Sequence, residues 1–238
     1  MRVNLIILGL LLAAAPAALA AGRVLRMTET LSLAADGSAQ VSVQFNATAA
    51  AGDTLILPYA FTAWPDTIVH GGKIGSATER LSHGRRQLML TLAESVTAQD
   101  TLRYAFALQQ ATPLGGPAKQ DFGNYDLSYR MVHTSPAPLE RFTVAIILPE
   151  HFVVNTIQSS TPARPANAGT SPYKLGMIAG RHRVTLTDST VLQGEVVALA
   201  FQTKSGRKSP LFIAVLVLIA GIYLLLFRDL VFPGRSKA

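Results

Sequence analysis

The 238-residue chain contains no cysteine. Disulfide bonds, thiolate metal ligands and cysteine nucleophiles are therefore excluded, and so is the attachment of a lipid to an N-terminal cysteine. The folded part of the protein must be stabilised by its hydrophobic core alone.

Charged residues are also scarce, at 15% of the chain, against about 25% in ordinary soluble domains. The formal net charge is +7, but the basic excess lies at the two ends, and the middle of the chain is nearly neutral. Nucleic-acid binding requires basic residues clustered on one face, so we expect no nucleic-acid partner. Residues 85–86 and 181–183 are short basic groups that we interpret as solvated turns.

Apolar residues concentrate in two runs, the first of which is N-terminal. Arg2 precedes an apolar stretch at residues 5–12, and small residues end at Ala20. One basic residue, a short apolar core and small residues before a cleavage site are typical of a secretory signal peptide. We predict a signal peptide over residues 1–20; an uncleaved anchor helix is the alternative.

The second apolar run covers residues 210–227 and contains no charged group. A helix of this length would measure about 27 Å, close to the hydrocarbon thickness of a bilayer. We therefore predict a transmembrane helix at 210–227, preceded by a basic juxtamembrane linker at 204–209 and followed by a cytoplasmic tail at 228–238. Together with the signal peptide, this indicates a single-pass type I protein of a bacterial inner membrane, with its bulk on the periplasmic or extracellular side.

Basic residues flank the predicted span on both sides. Lys204, Arg207 and Lys208 precede the span, and Arg228 follows it. Such residues attract anionic lipid headgroups by about 1 kcal/mol each. We predict headgroup contacts for these four side chains, so that the membrane is itself a partner.

The middle of the chain alternates apolar and polar residues with a period of two. The pattern is clearest at residues 39–48, 87–92, 101–108 and 183–187, and turn residues such as Asp36-Gly37-Ser38 separate the runs. This alternation buries one face of a strand and exposes the other. The sequence predicts an all-β fold of two tandem immunoglobulin-like antiparallel β-sandwich domains followed by the C-terminal transmembrane helix.

An internal repeat suggests where the domains divide. The order Leu-Pro, Phe, Gly-Arg turn, alternating strand and closing strand occurs twice, with Gly84 and Gly180 in the two turns. A stretch rich in proline and glycine separates the copies, as an interdomain linker would. We predict a first sandwich domain at 21–110, a linker at 111–124 and a second sandwich domain at 125–203.

The sequence contains no recognisable catalytic, cofactor-binding or metal-binding motif. Its five histidines lack metal-ligand spacing, no nucleophile elbow is present, and no cofactor motif occurs. We therefore predict no catalytic, cofactor-binding or metal-ligating residues and expect a protein that is not an enzyme.

The most unusual segment lies between strands and contains Tyr59, Phe61 and the single tryptophan, Trp64. Tyr and Trp dominate binding hot spots, so Tyr59 and Trp64 are our candidate partner-binding surface. The alternative is a corner that plugs the core of the first sandwich. The leading functional hypothesis is a binding or assembly module for another membrane or periplasmic protein. The alternatives are an accessory subunit of a larger inner-membrane complex and a carbohydrate or cell-wall binding module.

Overall fold

The alternating segments form β-strands along most of the chain. A computed structural model describes residues 22–82, 84–115, 124–161, 172–206 and 210–227. Within these ranges it contains thirteen strands, one short 3₁₀ turn at Pro113–Gly115, and one α-helix. The prediction of an all-β fold is thereby confirmed.

The strands β1 to β13 and the helix α1 follow one another along the chain. Their bounds are β1 (Arg23–Leu33), β2 (Ala39–Thr48), β3 (Thr54–Pro58), β4 (Ile68–His70), β5 (Ile74–Ser82), β6 (Arg85–Leu92), β7 (Thr101–Leu108), β8 (Asn124–Val132), β9 (Arg141–Ile147), β10 (Phe152–Thr161), β11 (Tyr173–Ile178), β12 (Arg181–Asp188), β13 (Val196–Ser205) and α1 (Pro210–Leu226). The runs predicted at residues 39–48 and 101–108 agree with β2 and β7 at both ends.

The strands pair into three sheets. One sheet has seven strands in the order β11-β12-β9-β1-β2-β7-β4, and two have three strands each, in the orders β10-β13-β8 and β3-β6-β5. The large sheet therefore contains strands from both predicted domains. The division into separate domains at 21–110 and 125–203 stays a prediction.

Within the large sheet, strand β1 joins strands from the first half of the chain, β1–β7, to strands from the second half, β8–β13. It pairs antiparallel with β2 and parallel with β9, with Met27 opposite Phe45 on one side and Phe142 on the other. The expectation of antiparallel sheets throughout is wrong at this pair. Local alternation reveals a strand but not its partner, and the parallel neighbour lies more than a hundred positions away.

The two halves of the chain, β1–β7 and β8–β13, repeat the same pairing order. In the first half β6 lies between β3 and β5, and in the second half β12 lies between β9 and β11. The hairpin registers also correspond, because Glu79 pairs with Leu88 and Leu175 pairs with Val184, each 96 positions later. The pairing order agrees with the internal repeat seen in the sequence.

Corresponding turns share their backbone conformation. Gly84 and Gly180 both have a positive φ, 73° and 76°, at the start of the alternating strand. This conformation is accessible to glycine without the strain that a Cβ would cause. It explains why both copies of the Gly-Arg turn carry glycine at this position.

The inner faces of the sheets contribute to one hydrophobic cluster. Its largest fully buried side chains include Phe45 of the first half and Phe142 and Phe201 of the second. Each such side chain contributes about 1.5–3 kcal/mol of burial free energy. This core stabilises the fold without disulfides.

Helix α1 is 17 residues long and belongs to a compact unit of its own, which begins at Ser205. None of the helices among the described residues combines the length and hydropathy required to cross a bilayer. The predicted signal peptide, the cytoplasmic tail and residues 116–123 of the predicted linker lie outside the described residues.

Candidate functional site

A groove of about 330 Å³ lies between the two halves of the β-structure. We call it the interhalf groove. Its lining comes from the ends of β1 and β7, from residues 60–63, from the segment after β7 and from residues 126–130 of β8. A cavity of this size is at the lower end of the range that accommodates ligands.

The lining of the groove mixes apolar side chains with polar and charged ones such as Asp126. Leu31 and Leu33 of β1, Leu108 of β7 and Ile146 of β9 contribute to it, and each is at most 5% exposed. Alternation along β1 points Leu31 and Leu33 to the same side of the sheet. The lining can therefore contact both apolar and polar groups of an incoming molecule.

The aromatic segment singled out in the sequence forms one wall of the groove. Phe61 lines it, and Tyr59 contacts Phe61, Trp64 and Phe106 with ring centroids 5.5, 5.1 and 5.8 Å apart. The Tyr59 hydroxyl donates a hydrogen bond to the carbonyl oxygen of Ala63 at 2.6 Å. These contacts fix the loop that carries residues 60–63.

Tyr59 and Trp64 are both half-buried and pack against the hydrophobic core. The cluster of Tyr59, Phe61 and Trp64 thus packs against the core of the first half and also supports the groove wall. Partial burial also raises the pKa of the Tyr59 phenol, so this group stays neutral at physiological pH. A role of these two residues in partner binding stays a prediction.

Strand β8 forms another wall of the groove and lies at the edge of its sheet. Its neighbour on one side is β13, and no described strand pairs with its other side. Edge strands present backbone N–H and C=O groups that can pair with an added strand. Five consecutive residues of β8, 126–130, line the groove, a length of about 16 Å at the rise of a strand.

A buried carboxyl group lies beside this wall. The Tyr129 hydroxyl of β8 donates a hydrogen bond to Glu29 Oε2 of β1 at 2.8 Å, and the two side chains are 4% and 3% exposed. Burial raises the pKa of the Glu29 carboxyl to about 7, and the hydrogen bond from Tyr129 opposes part of that rise. The contact joins the two halves beside the groove wall to which Tyr129 belongs.

Sequence reasoning missed Glu29, although the pattern contained a signal. Glu29 occupies the position between Met27 and Leu31 on the apolar side of the alternation in β1. A carboxyl at a core position needs a partner. Tyr129, a hundred positions later, could not be identified as that partner from local sequence.

Arg181 corrects the interpretation of residues 181–183 as a solvated turn. Its guanidinium donates to the carbonyl oxygens of Leu148 and Leu33, both at 2.7 Å, and to the Ser32 hydroxyl at 3.1 Å. Two of these bonds go to β1 and one goes to the residue that follows β9, so Arg181 is a fixed connection between β1 and the end of β9. The β1–β9 pairing, which local sequence did not reveal, brings these acceptors together.

The predicted headgroup contacts fall largely outside the described part of the chain. Lys204 is exposed on β13. Arg207, Lys208 and Arg228 are not among the described residues. Headgroup contacts of these four side chains therefore stay a prediction.

The described residues hold no cluster of three or more His, Cys, Asp or Glu side chains that could ligate a metal. His133 lies on the segment after β8 and His182 on β12, while His83 is outside the described ranges. None of the described histidines therefore belongs to such a cluster.

Comparisons with known proteins give distant likenesses only. No family model matches the chain, and no curated protein matches it. Among solved structures, an M1 zinc metallopeptidase from Deinococcus radiodurans is 12% identical, with a TM-score of 0.39, over 77% of this chain and 42% of that chain. A putative protease from Parabacteroides distasonis has the same identity and TM-score, over 76% of this chain and 40% of that chain.

A smaller structure overlaps more evenly. The folded domain of LppM from Mycobacterium tuberculosis is 15% identical, with a TM-score of 0.27, over 80% of this chain and 94% of that chain. The present chain spans less than half the length of the two peptidase chains. Likenesses this weak assign neither a family nor an activity to the chain.

Proposed function

We propose that the protein is a membrane-attached, extracytoplasmic binding module that holds an extended segment of another envelope protein. The observation that carries the proposal is the interhalf groove, which is lined by the edge of β8 that no described strand pairs with. The role is binding or assembly, without catalysis.

An extended segment matches the groove in two respects. Its backbone N–H and C=O groups would pair with the edge of β8 that lacks a neighbour among the described strands, which supplies affinity without requiring a particular sequence. Alternate side chains of the segment would point towards Leu31, Leu33 and Ile146, which supplies selectivity for apolar residues. The modest volume suits two or three such side chains.

The arrangement of the aromatic residues favours this proposal over a carbohydrate-binding module. A sugar-binding platform needs aromatic faces exposed in a row. Here Tyr59, Phe61 and Trp64 are partly buried, and the Tyr59 ring contacts the other two. They support a groove wall instead.

The architecture that we propose has two immunoglobulin-like repeats, 21–110 and 125–203, and a membrane attachment at the C-terminus. The repeated pairing order supports the first part. The second part is supported by the uncharged run at 210–227 and by α1, whose large apolar side chains from Val215 to Leu226 are exposed. With the signal sequence at 1–20, the β-structure lies outside the cytoplasm.

Site-specific photo-crosslinking in intact cells tests the proposal. A photo-reactive residue at the exposed Thr62, on the groove wall, is expected to form an adduct with one defined protein in the membrane fraction. The matched control places the same residue at the exposed Ser76 of β5, which does not line the groove. Identical adducts from both positions, or none from Thr62, would contradict the proposal.

A second variant addresses the groove itself. Ala63→Trp adds a large side chain at an exposed position of the lining and should remove the Thr62 adduct while the melting temperature stays within a few degrees of the parent protein. Retention of the adduct in this variant would place the partner elsewhere on the surface.

A further inference from the structure

A second cavity, of about 590 Å³, lies on the side of the β5–β6 hairpin that faces the second half. We call it the basic cavity. Arg80, Ser82, Arg85 and Gln87 line it from the hairpin. The segment 132–134 and the turn at Gln193 and Gly194 line it from the second half, and none of these residues belongs to the interhalf groove.

Strand register explains why two arginines meet in this cavity. Arg80 pairs with Gln87, and Ser82 pairs with Arg85, across the two antiparallel strands. Directly paired residues share a face of a sheet, and so do residues two apart on one strand. Arg80, Arg85 and Gln87 therefore point to the same face of the hairpin.

These two arginines carry uncompensated charge. Neither Arg80 nor Arg85 has an ion-pair partner among the described residues, whereas the neighbouring Arg86 is paired with Glu79. Glu195 acts electrostatically on His133 and accepts a hydrogen bond from the Leu192 N–H at Oε2, 2.7 Å away, but it does not line the cavity. The cavity therefore has a net positive lining.

The opposite wall contains polar atoms that lack partners. Nε2 of His133 must donate to the Ala137 carbonyl oxygen, 2.8 Å away, so Nδ1 is left as an acceptor. Neither this Nδ1 nor Thr134 Oγ1 has a hydrogen-bond partner among the described residues, and His133 is only 1% exposed. Buried polar atoms without partners are uncommon and costly, so each calls for an explanation.

We propose that the basic cavity binds a small molecule that carries an oxyanion, a carboxylate or a phosphate group, held between Arg80 and Arg85. Guanidinium groups bind both oxyanions through pairs of parallel N–H···O bonds. The buried Gln87 amide, 6% exposed, adds a donor between the two arginines. Hydroxyl groups of the ligand, or water molecules held beside it, would supply hydrogen-bond partners for His133 Nδ1 and Thr134 Oγ1.

The volume agrees with a molecule larger than the anion alone. A cavity of about 590 Å³ lies in the middle of the range for small-molecule sites. The oxyanion would occupy the arginine side, and the rest of the molecule would face Ile56, Val132 and the polar wall. This site is independent of the segment binding proposed for the interhalf groove.

Calorimetric titration of the purified full-length protein tests the proposal. The probes are inorganic phosphate and acetate, added separately at constant ionic strength, so that the two oxyanions are distinguished. The double variant Arg80→Gln/Arg85→Gln should weaken binding of the preferred anion by about tenfold or more, because it removes the charge-assisted hydrogen bonds. The matched control, Arg26→Gln/Arg103→Gln, removes the same charge at two exposed positions outside the cavity and should bind like the parent protein.

Three results would overturn the inference. They are the absence of binding by both anions, equal weakening in the two double variants, and unchanged binding in Arg80→Gln/Arg85→Gln. Circular dichroism establishes that each variant is folded. If the cavity double variant is not folded, the single variants Arg80→Gln and Arg85→Gln replace it under the same criteria.

Discussion

At the scale of single residues, Glu29 is the most consequential group in the structure. It is a carboxyl on the apolar side of β1, it accepts one hydrogen bond from Tyr129, and its pKa is raised to about 7 by burial. The protonated form is therefore favoured in the folded state, and ionisation of Glu29 opposes folding. The sequence shows that a carboxyl occupies an apolar position of β1. How far its pKa rises depends also on Tyr129, which the fold places beside it.

We predict that the free energy of unfolding falls as the pH rises through the range between the unfolded pKa of 4.5 and the folded value of about 7. In this range the native state binds more protons than the unfolded state, and the loss approaches about 3 kcal/mol above pH 7. Glu29→Gln, which cannot ionise, should lack this loss. Urea unfolding at pH 5 and pH 8 measures it.

The control for this prediction is the exposed Glu94, changed to Gln. It should leave the pH dependence of the parent protein intact. An equal fall in stability between pH 5 and pH 8 in Glu29→Gln and in the parent protein would show that another group is responsible.

At the scale of secondary structure elements, β1 determines how the halves are joined. Local alternation predicted β1, β2 and the turn at Gly37 correctly, because a hairpin depends on neighbours in sequence. The parallel pairing of β1 with β9 was not predictable, since it depends on the closure of a long loop. The groove, which lies between the halves, was unpredictable for the same reason.

A proline in the middle of β1 tests the importance of this strand. Thr28 lies opposite Gln44 of β2 and Thr143 of β9, so its backbone is flanked on both sides. Thr28→Pro removes an N–H from the ladder and should lower the free energy of unfolding by at least about 2 kcal/mol. Thr28→Val keeps both the N–H and the β-branched shape and should change stability by less than about 0.5 kcal/mol. Similar urea midpoints for the two variants would show that β1 contributes little.

At the scale of the whole molecule, the two repeats share one hydrophobic cluster and one seven-stranded sheet. The repeat itself was readable from the Gly-Arg turns and from the strands that follow them. That the two repeats share a sheet and a core could not be predicted from the sequence. Nothing in a duplicated sequence specifies whether its copies fold as separate domains or as one.

We predict that the β-structure unfolds in a single cooperative transition. Trp64, the one tryptophan of the chain, reports on the first half alone, whereas far-UV circular dichroism reports on both halves. The two signals should give the same thermal midpoint, because unfolding of one half exposes core of the other. The second-half variant Phe201→Leu should lower both midpoints equally; a shift in circular dichroism without a shift in Trp64 fluorescence would indicate independent halves.

The parallel pairing of β1 and β9 also sets an order of events during synthesis. Residues 23–33 leave the ribosome early and can form a hairpin with β2 at once, but the other flank of β1 stays vacant until residues 141–147 have been made. A nascent chain of this protein therefore carries an unpaired strand edge while the residues between β1 and β9 are added, and formation of the parallel pair is slow because distant contacts form slowly. Chaperone dependence during elongation should end only when β9 has emerged.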